Sequence, residues 1–341
     1  FCIHYRSARR DPDANPEFLH FWGRRLWRLY PPFLAAIAIA LFIRVSVMIA
    51  INPGVQWSAA LAIDTLFGSV TGFLSTLCVH LFMLYPFHTT AMARTDTWQM
   101  WTLALEEQLY LLYFLLPLMR RRLGMPKSVL AVLLVTLLWR GFFILGPAQA
   151  EPPLSDLASR AVAHHGWELA PVDWLGMGPA RWFEWMLGAW AVEMAVGKSE
   201  RPAWSSRLSV GLAALAVGIA AEWCRIGWIV SDPAWGVACF VLLNRLVVHE
   251  QSRPLPRPVT VLATMGIFSY SLYLVHLPLV LYLDRILRPI MSPWPACLLA
   301  MAACIAWAWL FYRLFEVPAL SRSRHLALQD RTSVQPAVNP G

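Results

Sequence analysis

Apolar residues run along this chain in stretches about as long as a bilayer is thick, separated by short, arginine-rich connectors. A spanning helix needs ~20 apolar residues. Candidate stretches lie at about 29–51, 57–85, 99–119, 128–147, 180–197, 208–223, 227–248, 260–283 and 294–316. This pattern predicts an all-α, polytopic transmembrane helix bundle of about nine to ten membrane segments. They form one membrane-embedded domain over residues 1–320, followed by a polar, disordered tail over 321–341. Pro31 and Pro32 are expected in the first turn of their helix, where a missing N–H leaves nothing unpaired.

The basic connectors test the segment pattern. Arg120, Arg121, Arg122 and Lys127 form one, Lys198, Arg201 and Arg207 a second, and Arg253 and Arg257 a third; Arg313, Arg322 and Arg324 close the chain. Counting crossings puts all four on one side, which the positive-inside rule makes cytoplasmic, the C-terminus included. The N-terminal loop with Arg6, Arg9, Arg10, Arg24, Arg25 and Arg28 falls there too. The polar connector 148–179 then lies outside. Parity holds only if 57–85 crosses twice or not at all. The segment is long for one crossing and short for two. A broken or re-entrant hairpin bent near Gly68 and Gly72 satisfies both constraints, because irregular backbone at membrane depth is tolerated where protein or a cavity surrounds it.

Composition agrees. Of 341 residues, 58% are hydrophobic and 14% charged, against ~25% charged in soluble domains. The net charge of +8 would suggest nucleic acid in a soluble protein. Here the topogenic connectors account for it, and no nucleic-acid partner is expected. The six cysteines form no CxxC pair, so neither a zinc site nor a disulfide framework is indicated. No metal site is expected.

Ionisable groups inside apolar segments carry the candidate chemistry, because a charge there costs ~2.5–3.5 kcal/mol on insertion scales. Glu106 and Glu107 lie near the start of segment 99–119, beside Trp98, Trp101 and Tyr110. Neighbours on a helix point ~100° apart, so one can face the bundle and the other the headgroup edge. Either Glu106 serves as an acid/base or holding group, or both carboxylates are hydrated at the interface. His276 shares a helix face with Tyr273; it is a functional group or a histidine satisfied by a backbone carbonyl. Arg24 and Arg28 share a face if their helix starts early, and guanidinium forks suit phosphates; plain topogenic charge is the alternative. Arg181 and Glu184 are spaced to pair at i, i+3.

Five phrases, in order, resemble the acyltransferase 3 family of multi-pass membrane O-acyltransferases. They are Arg24-Arg25-Leu26-Trp27-Arg28-Leu29-Tyr30-Pro31, Trp101-Thr102-Leu103-Ala104-Leu105-Glu106-Glu107-Gln108-Leu109-Tyr110, Arg181-Trp182-Phe183-Glu184-Trp185-Met186-Leu187-Gly188, the run Gly266 to His276 with Ser269-Tyr270 and Leu272-Tyr273-Leu274, and Glu316-Val317-Pro318. The resemblance implies transfer of an acyl group, acetyl by default, from acyl-CoA to a hydroxyl of a glycan, a lipid-linked glycan or a related small molecule. Acyl-CoA is then a co-substrate and no cofactor is required. By the same resemblance Glu106, Tyr270 and His276 are candidate catalytic residues, and Arg24, Arg25 and Arg28 meet the acyl donor. Trp101, Tyr110, Tyr273 and Arg181 line the cavity. The family's presumed catalytic histidine precedes a phrase matched here by Phe1-Cys2-Ile3, so it is expected upstream of Phe1. Pro117 departs from the family's usual position, which is nearer Tyr113 and Phe114. A transporter or lipid-linked glycan flippase is the rival class, although no internal repeat supports it.

Overall fold

The computed structural model describes residues 2–13, 17–87, 90–146, 174–224, 226–254 and 256–323. Most of the polar connector 148–179 and residues 324–341 of the expected tail lie outside these. No strand occurs among the described residues. The helices are α1 (Cys2–Arg10), α2 (Phe18–Ile51), α3 (Ala59–Phe67), α4 (Val70–Leu81), α5 (Thr90–Thr95), α6 (Trp101–Tyr113), α7 (Leu116–Leu123), α8 (Met125–Leu145), α9 (Gly178–Ala195), α10 (Leu208–Ala221), α11 (Ser231–Ser252), α12 (Arg257–Met265), α13 (Ser269–Leu287) and α14 (Pro293–Phe311).

Among the described residues, five helical stretches are long and apolar enough to cross a membrane: α2, α8, α11, the run 257–287 through α12 and α13, and the run 293–323 through α14. The bent pair α3–α4 makes a sixth if counted as one span. The expected nine to ten segments are therefore not confirmed, for three local reasons. Segment 99–119 breaks between α6 and α7, where Pro117 has no N–H to offer Tyr113 and the backbone tightens to Phe114–Leu111 and Leu115–Leu112 bonds. Segment 180–197 becomes α9, which carries Arg181, Glu184 and Glu193. Segment 208–223 becomes α10, whose 14 residues reach only ~21 Å of a ~30 Å hydrocarbon core.

The N-terminus also differs from expectation. The supposed loop before residue 29 contains α1 and the first turns of α2. Pro31 and Pro32 therefore lie inside α2, not in its first turn. A proline frees only the carbonyl one turn back, and here those carbonyls belong to Trp27 and Arg28, exposed residues at the basic edge of the helix. The bend in 57–85 is present: α3 and α4 meet at 67°. Gly68 supplies the left-handed φ of 74° that ends α3, and the Ser69 hydroxyl accepts from Gly72 N–H to start α4.

The chain divides into two compact units. The first comprises Phe1–Pro16, Met83–Thr89 and Trp101–Val259. At its centre is α9, packed against α1, α6, α8 and α11. Surrounded so, it buries Phe183, Met186, Leu187, Trp190 and Val192 on all sides. Its neighbour α8 has the polarity of a membrane helix. Leu130, Leu134, Leu138 and Phe142 form an exposed apolar stripe, while Ser128, Thr136 and Arg140 are buried. Outward apolar and inward polar side chains are what a lipid environment selects.

The second unit comprises Glu17–Phe82, Thr90–Met100 and Thr260–Gly341. Here α13 packs against α14 and α2, and α4 packs against α3 and α5. Side chains lock the helices together. The Tyr270 hydroxyl donates to Leu29 O at 2.9 Å, Gln99 Nε2 to Leu274 O at 2.9 Å, and Ser323 Oγ to Arg24 O at 3.0 Å.

Candidate functional site

In the second unit the early start of α2 puts Arg24 and Arg28 on one face, with Arg25 turned aside over the Phe21 ring at 4.2 Å. Arg28 is exposed and within electrostatic reach of Glu316. Glu316 lies in a π-helical turn, Tyr312–Glu316, that continues α14. Its carboxylate is buried and accepts from Ser271 Oγ at 2.5 Å. A single π turn inside a long helix redirects one side chain; here it turns Glu316 onto α13.

Two turns of α13 carry the other predicted residues. Tyr270 spends its hydroxyl on the Leu29 carbonyl, pinning α13 to α2. His276 is half-buried, and its Nδ1 lies 3.0 Å from Leu272 O and 2.9 Å from Tyr273 O. A carbonyl only accepts, so Nδ1 carries a hydrogen, and in the neutral ring the lone pair is then on Nε2. The Tyr273 and His276 rings are 6.2 Å apart. The structure thus joins Tyr273 to His276 and Tyr270 to the base of α2.

A second cluster in this unit escaped sequence reasoning. Arg44 Nη1 contacts Asp96 Oδ1 at 2.8 Å and donates to Ala93 O at 2.8 Å. The Tyr282 hydroxyl donates to Asp96 Oδ2 at 3.0 Å. Asp96 adopts φ 54°, a left-handed conformation that aspartate tolerates better than most residues. The sequence signal was Arg44 itself, a charge inside the apolar part of α2.

In the first unit Glu106 is exposed on α6 and its Oε2 accepts from the buried Tyr110 hydroxyl at 2.9 Å. Trp101 is half-buried at the helix start. Two residues further along α6, Gln108 packs against α9: its Oε1 accepts from Gly178 N–H at 2.8 Å.

Deeper in this unit lies a buried network that no motif announced. Glu193 is wholly buried, as are His4 and Tyr113. His4 Nε2 is 3.2 Å from Glu193 Oε1 and Nδ1 is 3.2 Å from the Tyr113 hydroxyl. A carboxylate accepts, so Nε2 donates to Glu193. Arg120 Nε donates to both Glu193 oxygens, at 2.9 and 3.0 Å, and Nη1 to Asp13 at 2.7 Å. Burial alone would lower the Arg120 guanidinium, but the hydrogen-bonded carboxylates of Asp13 and Glu193 outweigh it and hold its pKa above the ordinary value.

Arg181 also departs from expectation. It pairs with Asp232 of α11 rather than with Glu184 on its own helix. Asp232 simultaneously takes Arg140 Nη1 at 2.7 Å, and Arg140 further donates to Trp228 O through Nε at 2.9 Å. Helix-to-helix approach decides this: Asp232 lies between two guanidiniums, whereas both oxygens of Glu184 are buried with no hydrogen-bond partner among the described residues.

Apolar surfaces facing outward and ion pairs tied between helices define the class: an integral membrane helical protein with buried polar clusters. The acyltransferase domain of the acyltransferase 3 family matches residues 14–313, and the chain belongs to that family. The match supports membrane acyltransferase activity. No curated protein and no solved structure matches the chain.

Proposed function

We propose that this protein moves an acyl group, acetyl by default, from acyl-CoA to a hydroxyl of a glycan or a lipid-linked glycan. The observation that carries the reading is α2. It runs unbroken from Arg24, Arg25 and Arg28 into an apolar span ending at Ile51, so three guanidiniums gather at one end of a membrane helix. Guanidinium forks suit the phosphates of a CoA donor.

The chemistry needs three things: a base for the acceptor proton, stabilisation of a tetrahedral oxyanion, and departure of the CoA thiolate. The acceptor oxygen forms the new ester bond as the thioester C–S bond breaks. Glu106 orients the acceptor or the family's presumed catalytic histidine, a residue distinct from His276, with Tyr110 holding its carboxylate. His276 presents Nε2 as a proton acceptor, because backbone carbonyls occupy its other nitrogen. Tyr270 and Tyr273 keep α13 in register with the donor-binding face.

The test uses the complete protein in membranes with acyl-CoA labelled in its acyl group. Label appearing on the glycan supports acyl transfer; movement of unmodified glycan alone supports the transporter reading. Glu106→Gln is expected to reduce turnover by roughly 10²–10⁴-fold, the worth of a correctly positioned base, if the residue orients the base or the acceptor. Unchanged turnover would remove Glu106 from the mechanism.

A further inference from the structure

Between α9 and α11 of the first unit is a cavity of about 350 Å³ lined by Arg181, Glu184, Asp232, Trp235, Gly236 and Phe240 among others. This is at the small end of ligand sites, which span ~300–1,000 Å³. We propose that it binds one or two sugar rings of the hydroxyl-bearing acceptor, with Glu184 and Arg181 as the hydrogen-bonding pair and Trp235 as the stacking face.

Three features of the cavity select this ligand. Its lining carries Arg181, Asp232 and Glu184, and Asp232 is engaged by both Arg181 and the neighbouring Arg140. Among the described lining residues the one cation, Arg181, is already paired with Asp232, so the lining does not favour a phosphate. Among the described residues, one donor and one acceptor group here have no hydrogen-bond partner, Arg181 Nε–H and the Glu184 carboxylate, all three atoms buried. An unmatched buried polar group costs ~1–3 kcal/mol, more when charged. A ligand hydroxyl both donates and accepts, so neighbouring hydroxyls on a pyranose answer both groups. Finally, Trp235 is fixed against α10, where a Cβ on Gly218 would approach its Nε1 to 3.1 Å. Its ring offers an apolar, edge-defined wall of the kind that covers the C–H face of a sugar.

Gly236 makes the site by omission. A Cβ there would lie 2.8 Å from Glu184 Cγ, so any larger residue displaces the carboxylate. Glu184 thus stands in the space that a glycine on the facing helix leaves open.

The inference rests on the acyl-transfer reading only for the word acceptor; binding itself can be measured without turnover. The experiment is saturation-transfer NMR on the complete protein in nanodiscs, with methyl glucoside, methyl galactoside, methyl mannoside, methyl rhamnoside and N-acetylglucosamine as probes. At least one is expected to bind, with Glu184→Gln and Trp235→Ala each weakening it at least tenfold and Gly236→Val abolishing it. Glu184→Gln keeps the side-chain shape and so guards against a folding artefact. Overturning results are no binding of any probe, binding equal in native and Glu184→Gln protein, or displacement of the probe by a zwitterionic phospholipid headgroup, which would make the cavity a lipid site. Saccharide binding that depends on Glu184 in a protein that transfers no label would sink the enzymatic reading and leave the site standing.

Discussion

Arg120 and Glu193, 73 residues apart in sequence, form a charge-assisted contact in which one guanidinium nitrogen reaches both carboxylate oxygens. The contact joins α7 to the far end of α9, and His4 on α1 completes the set through the same carboxylate. A helix near the chain's start is thereby tied to the centre of the first unit.

Removing one partner of this pair should be damaging, because Glu193 would remain wholly buried without the guanidinium that satisfies both its oxygens. Arg120→Ala is expected to destabilise the protein by about 3–5 kcal/mol. Denaturation of purified protein in detergent measures this. A loss under 1 kcal/mol would mean that water reaches Glu193 freely.

The bend between α3 and α4 makes two different demands on glycine. Gly68 needs the left-handed conformation, and alanine there should cost about 1–2 kcal/mol. Gly72 needs space: a Cβ would lie 2.1 Å from Phe67 O, so alanine forces the bend itself to open. Gly72→Ala should therefore change the bend angle and lower acyl transfer more than Gly68→Ala does. Distance measurements between spin labels on α3 and α4 would register the difference.

At the Arg44–Asp96–Tyr282 cluster, aspartate serves both as anion and as a residue comfortable at positive φ. Asp96→Asn keeps the second property and an acceptor for Tyr282, while Asp96→Ala loses everything. The alanine variant should be less stable than the asparagine variant by about 1–2 kcal/mol, read from paired thermal melts.

For the donor face, Arg28→Gln is expected to raise the KM for acyl-CoA by about ten- to a hundredfold, the worth of one or two hydrogen bonds to a charged group. The kcat should change little, since phosphate binding is shared by ground and transition states. Equal loss in kcat would instead tie Arg28 to the chemical step.

Local features were legible in advance. The glycine-marked bend, the basic start of α2, and the ordered phrases that resemble the acyltransferase 3 family all depend on neighbours in sequence. The segment count is not confirmed where a local detail outweighs hydrophobicity, as Pro117 does in parting α6 from α7. Arg44 was a visible signal left unread; His4 and Glu193 gave no signal at all, since each looks like ordinary charge beside a membrane segment.

By itself, the sequence determined that the protein is helical, embedded in lipid and a member of one acyltransferase family, because hydrophobic run length and short motifs express constraints within single helices. Only the tertiary structure decided which charges meet. Arg181 chose Asp232 over Glu184, and Arg120 found Glu193, because contacts between helices depend on how each is rotated about its axis. A residue's spacing along its own chain carries no record of that rotation.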